Sequence, residues 1–165
     1  MKLRKMSIKG SPFLGVFCRA TERVSLVPHG VSLKEKKNLE EILQTEVIGC
    51  SLANSSLIGI LSVGNQKGFV VPGIVETEEI RALQEIGIAV TKLESVKAIG
   101  NLLLVNDQTG VCSLSVSNPT KQAIEKSLGV ELLQGKIANS DLVGAAGVLT
   151  NKGFVCHPDT SKTEI

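Results

Sequence analysis

Four cysteines and two histidines are the side chains here best suited to covalent chemistry. A thiolate becomes a useful nucleophile when an imidazole nearby takes its proton, so Cys18, Cys50, Cys112 and Cys156 must be weighed against His29 and His157. Only Cys156 and His157 are adjacent, and adjacent residues on a strand point to opposite faces, which is wrong for a nucleophile and its base. His29 follows Pro28 in a loop, so both histidines are expected to be structural. The cysteines are 32, 62 and 44 residues apart, with no C-x-x-C. They read as small buried apolar residues rather than disulfide partners. No His or Cys pair has metal-ligand spacing, and no glycine-rich loop followed by Lys-Ser/Thr joins a strand to a helix. Neither a metal nor a cofactor is expected.

What does recur is a glycine after a short apolar or small-residue step: Phe13-Leu14-Gly15, Leu57-Ile58-Gly59, Ala98-Ile99-Gly100 and Leu142-Val143-Gly144. The spacings are 44, 41 and 44 residues. Asn54-Ser55 returns as Asn139-Ser140, Lys67-Gly68-Phe69-Val70 as Lys152-Gly153-Phe154-Val155, and Ser32-x-x-Glu35 as Ser161-x-x-Glu164. One alignment satisfies every pair, which marks an array of equivalent modules whose function belongs to a shared face. The cysteines are read as falling at no equivalent places in it.

Each module reads as strand, hairpin, strand, helix, strand, with the repeated glycine opening the first strand. In the second, Leu57 to Val63 is β-rich, Gly64 to Gly68 turns, Phe69 to Val71 returns, and Pro72 ends that strand. Glu76 to Ile86 places Ile80, Leu83 and Ile86 on one helical face, and Ile88 to Leu93 closes the unit. In the first, Ser32 and Glu35 form a capping box, Leu33, Leu39 and Leu43 line the apolar face, and Glu46 to Leu52 closes. In the third, Asn118 caps, Pro119 takes the first helical position, Gly129 stops the helix, and Val130 to Ile137 closes. In the fourth, Thr150 to Gly153 turns and a helix starts at Ser161, reaching only about one turn before Ile165. The units run over about residues 10–53, 54–97, 98–138 and 139–165, within a single incomplete domain over 1–165.

At 165 residues, 42% apolar and 21% charged, the chain is ordinary for a globular protein. Net charge is +2, although Lys2, Arg4, Lys5, Lys9, Arg19 and Arg23 face only Glu22 in the first 23 positions. Trp and Tyr are absent, and the four Phe are read as lying in apolar strands. Little is left to stack bases, so direct or sequence-specific nucleic-acid binding is not expected. No apolar run approaches the roughly 18 residues of a membrane span, and the basic start lacks an apolar signal core. A soluble cytoplasmic protein without disulfides is the expectation.

With these modules in place the chain resembles the archaeal and eukaryotic translation initiation factor 6 family. The likeness runs from Ile8-Lys9-Gly10-Ser11-Pro12-Phe13 to His157-Pro158. It is most specific at Ser55-Ser56-Leu57-Ile58-Gly59, Val63-Gly64-Asn65, Ala98-Ile99-Gly100-Asn101-Leu102 and Thr150-Asn151-Lys152-Gly153. The resemblance implies a pentein-type α/β propeller of five ββαβ units, of which three and part of a fourth are here. It implies a ribosome anti-association factor that binds the large ribosomal subunit and sterically keeps the small subunit from joining. The partner would be a ribosomal protein beside the sarcin-ricin loop, and the full-length factor a monomer with no catalytic residues. Contacts are expected at the repeated turns, from Gly15, Val16, Gly59, Ile60, Gly100, Asn101, Gly144 and Ala145. Asn101 stands out, because its counterparts Val16, Ile60 and Ala145 are apolar or small. The hairpin residues Asn65, Asn106 and Asn151 read as turn chemistry. Penteins also include guanidine-modifying hydrolases and transferases, so such an enzyme is the alternative, and an inactive truncated fragment is another.

Overall fold

The computed structural model describes residues 4–164; Lys2 and Ile165, both used above, lie outside them. The first unit holds α1 (Leu14–Phe17), β1 (Arg19–Ala20), β2 (Val24–Pro28), α2 (Leu33–Leu43) and β3 (Glu46–Cys50). The second holds α3 (Ile58–Leu61), β4 (Val63–Asn65), β5 (Gly68–Pro72), α4 (Thr77–Glu85) and β6 (Val90–Leu93). The third holds α5 (Ile99–Leu102), β7 (Leu103–Val105), β8 (Thr109–Ser113), α6 (Asn118–Leu128) and β9 (Glu131–Gly135). The fourth holds α7 (Val143–Ala146), β10 (Gly147–Thr150) and β11 (Gly153–Cys156). Each complete unit is a three-stranded sheet in chain order, an antiparallel hairpin extended by a parallel third strand. The helix before that third strand makes the crossover a parallel pairing requires.

The repeated glycine does not open a strand. It sits in a one-turn helix, and the first strand starts only afterwards. An apolar run of four or five residues fits either structure, and burial against the neighbouring unit selected the helix. Those one-turn helices adjoin in succession, as do the first strands β1, β4, β7 and β10.

Smaller expectations also shift. Ser117, with extended backbone, is the residue before α6, so Asn118 is already helical. Of the three leucines assigned to the apolar face of α2 only Leu39 is buried, since the 3% exposed Leu39 contrasts with 78% at Leu33. Ile80 and Leu83 are buried as expected, whereas Ile86 is exposed. No helix follows Cys156 among the described residues, although Ser161 and Glu164 already pair as a cap would. Cys112 and Cys156 do occupy equivalent places, opposite Leu103 and Gly147 at the start of the first strands. Cys50 and Cys112 are buried, and all four thiols are free.

The Ser-x-x-Glu motif does more than cap. Lys9, Ala53 with Asn54, and Ala138 with Asn139 hold positive φ in the loops that enter units one, two and four. Glu35 accepts from the Lys9 amide at 3.1 Å, and Glu164 from the Asn139 amide at 2.8 Å. Glu79 accepts from the amides of Ala53 and Asn54 at 2.7 and 3.0 Å, and from that of Glu76 at 3.0 Å. In units one and two one carboxylate thus closes both the loop and the helix start, satisfying amides that neither could pair alone. The third unit has Thr120 at this helical position, bonded to Ser95 at 2.8 Å, and its loop has no left-handed residue.

Candidate functional site

The four one-turn helices converge because glycine lets backbone meet backbone. A Cβ on Gly59 would overlap the Gly15 carbonyl, one on Gly100 the Gly59 carbonyl, and one on Gly144 the Gly100 carbonyl. Gly15, first in the series, has open space where a Cβ would be. The glycine is therefore dictated by the preceding unit, and three of the four positions require it.

The residue before each helix is set by a second repeated device. Ser11, Ser55 and Ser140 accept through Oγ from the amides of Phe13, Leu57 and Leu142, at 3.3, 3.2 and 3.1 Å. Those apolar side chains are left 70%, 37% and 47% exposed. Ala98 holds the equivalent place in unit three, after Val96 rather than serine. Phe13 is therefore no strand residue in an apolar setting, as the sequence reading had it, but the most exposed aromatic on this face. Large apolar side chains are thus exposed at the same repeated position in units one, two and four, while unit three has the half-buried Ala98 there.

Of the residues expected to make contacts, Val16, Ile60 and Asn101 are half-buried and Ala145 is exposed. Gly59 and Gly100 are buried, Gly144 is half-buried and Gly15 is exposed. The structure brings all eight together, with Gly59 and Gly100 serving as close-packing sites beneath the others. Phe13, Leu57, Leu142 and Arg19 were missed. The serine two residues before each of the first three is the signal in sequence. Arg19, on β1, donates from Nη2 to the carbonyls of Gly59 at 2.5 Å and Gly100 at 3.3 Å.

At the hairpin turns the chain is stitched from unit to unit. The Asn65 amide donates to the Asn106 carbonyl at 3.2 Å and to the Leu128 carbonyl at 3.0 Å. Asn106 donates in the same way to the Thr150 carbonyl at 3.2 Å. The equivalent of Asn65 and Asn106 is thus Thr150, and Asn151 instead matches Asp107 and Gln66. Thr21, Asn65, Asn106 and Thr150 each accept from amides two or three residues ahead, the turn chemistry expected of Asn65 and Asn106, whereas Asn151 bonds across to Asp107 instead. A cavity of about 170 Å³ opens at these turns, lined by Thr21, Asn65, Asn106 and Thr150 among others.

Burial pushes the Cys18 thiol up to about 11, against the opposing pull of Arg19, and the Cys50 thiol up to about 12. His157 faces Asp159, with Nδ1 3.8 Å from its carboxylate and accepting from its amide at 3.2 Å. Among the described residues no group of three or more His, Cys, Asp and Glu could hold a metal ion. No helix among them is long and apolar enough to cross a membrane.

The chain is similar to solved structures of low sequence identity. It aligns with a dimethylarginine dimethylaminohydrolase adduct with S-methyl-L-thiocitrulline at a TM-score of 0.51 and 14% identity, over 87% of this chain and 60% of that one. That likeness speaks to the fold, which is of the mixed α/β pentein class. Among curated proteins it is 39% identical to translation initiation factor 6 of Pyrococcus horikoshii, covering 100% of this chain and 76% of that one. It is 34% identical to translation initiation factor 6 of Staphylothermus marinus, covering 99% and 74%. With residues 3–165 matching that family as well, the chain belongs to the eIF-6 family.

Proposed function

We propose that this chain acts in the cytoplasm by binding the large ribosomal subunit through the face built from its one-turn helices, and so blocks the small subunit. The observation that supports this most is the set of exposed Phe13, Leu57 and Leu142 beside half-buried Val16, Ile60 and Asn101. Apolar anchors around one amide suit a protein surface, since they desolvate readily while the amide supplies orientation. A ribosomal protein beside the sarcin-ricin loop is the partner in this reading, and the block is steric. The mechanism calls for no chemistry, and His157 is turned to Asp159. In this reading the four units make one propeller domain that works as a monomer.

Sedimentation with purified large subunits tests this. The chain is expected to co-pellet and to inhibit subunit joining, and Asn101→Ala to weaken binding about tenfold, the loss of one good interfacial contact. Failure of the unaltered chain to pellet, or an unchanged affinity for the variant, ends the reading.

A further inference from the structure

We propose that Arg19 is a positioning residue for that face: its guanidinium fixes the two peptide planes that carry Ile60 and Asn101. The acceptors of Arg19 are the carbonyls of Gly59 and Gly100, and each belongs to the peptide bond leading into the next residue, Ile60 in one case and Asn101 in the other. A single side chain from unit one therefore holds corresponding atoms of units two and three, 40 and 81 residues away. A peptide plane with its oxygen held by a cation cannot rotate without breaking a charge-assisted bond. The orientation of both following side chains depends on those planes.

The equivalents of Arg19 in the later units are Val63, Leu104 and Val148, so Arg19 is the one cation the array places at this position. Val63 and Leu104 are buried apolar residues, which shows that the position tolerates an uncharged side chain. The Arg19 Nε is buried and has no hydrogen-bond partner among the described residues. A buried donor without a partner costs stability, and the two carbonyl bonds are what the residue supplies against that cost.

The inference rests on the ribosomal reading for its consequence but not for its geometry, and the test separates them. Amide exchange followed by NMR is compared for the unaltered chain, Arg19→Met and Arg19→Lys. The Ile60 amide donates to Leu57, the Asn101 amide to Ala98 and the Ala145 amide to Leu142, the last in a unit that Arg19 does not touch. In Arg19→Met exchange is expected to quicken about tenfold or more at Ile60 and Asn101 while Ala145 keeps its rate. Arg19→Lys, which retains a cationic donor, restores much of the protection. Large-subunit affinity is expected to fall with Arg19→Met, and adding Asn101→Ala to cost little more, because both changes remove the same contact. Unchanged exchange at Ile60 and Asn101 overturns the proposal. So does an equal rise at Ala145, which marks a general loss of stability. Selective exchange in a chain that never binds large subunits upholds the positioning role and removes the ribosomal function.

Discussion

The Cα of Gly100 lies against the carbonyl oxygen of Gly59, so close that any Cβ there would overlap it. The same Cβ would stand 2.7 Å from Arg19 Nη2 and 2.8 Å from the Ser62 carbonyl. Two of these three neighbours are backbone and cannot swing aside. Gly100→Ala is expected to destabilise the chain by about 3 kcal/mol, the upper end of ordinary overpacking. Gly15→Ala, with open space around it, is expected to stay within about 0.5 kcal/mol. Urea unfolding of the two variants checks the contrast.

Asn65 is 3% exposed and its amide serves two carbonyls, whereas the half-buried Asn106 serves one. Removing the amide strands buried acceptors. Asn65→Ala is expected to cost about 2 kcal/mol and Asn106→Ala about 1 kcal/mol. Asn65→Thr should recover only the local turn, as Thr150 does in its own unit. Denaturation midpoints measure all three.

Glu79 titrates below its ordinary value. Burial pushes its pKa up, but hydrogen bonds from the Ser51 side chain and from the amides of Asn54, Glu76 and Ala53 outweigh that. Its stabilising effect is therefore complete above the unfolded value of about 4.3 and is lost as pH falls through the lower folded value. Glu79→Gln is expected to lower Tm at pH 7 and to leave it nearly unchanged at pH 2. Glu35 and Glu164, half-buried like Glu79 and held low by Ser32 and Ser161, should show a loss of the same sign. Thermal unfolding between pH 7 and pH 2 supplies the curve.

Phe13 is 70% exposed, so its removal should leave folding intact. Phe13→Ala is expected to shift stability by less than about 0.5 kcal/mol. On the proposed function it should nevertheless weaken large-subunit binding about tenfold, as loss of an aromatic anchor does. Equal binding by Phe13→Ala and the unaltered chain would place the contact elsewhere.

With their thiols pushed up to about 11 and about 12, Cys18 and Cys50 should resist thiol reagents at neutral pH. A disulfide reagent is expected to label neither until denaturant unfolds the chain. Labelling in the folded protein, read by mass spectrometry of peptides, would contradict the burial of Cys50 and the raised value at the half-buried Cys18.

The hairpins and the three long helices were legible because their determinants are local. Ser32 with Glu35 announced a helix start, Gly129 a stop, and the Asn- and Thr-bearing turns their own hairpins. The one-turn helices were not, because Leu57 to Leu61 has no period long enough to separate helix from strand. The position of Asn101 on the face followed from the repeat. That Gly59 and Gly100 lie buried beneath it did not.

By itself, then, the sequence determined the spacing of the repeated motif and, inside each complete unit, the hairpin, the long helix and the closing strand, but not the one-turn helix that comes first. These follow from short-range pattern, repeated at intervals of 44, 41 and 44 residues. Only the tertiary structure decided that each glycine meets the carbonyl of the one before, that Phe13, Leu57 and Leu142 are left exposed, and that Arg19 spans three units. Such contacts join residues about forty or more apart along the chain, and their energies appear only once whole modules have come together.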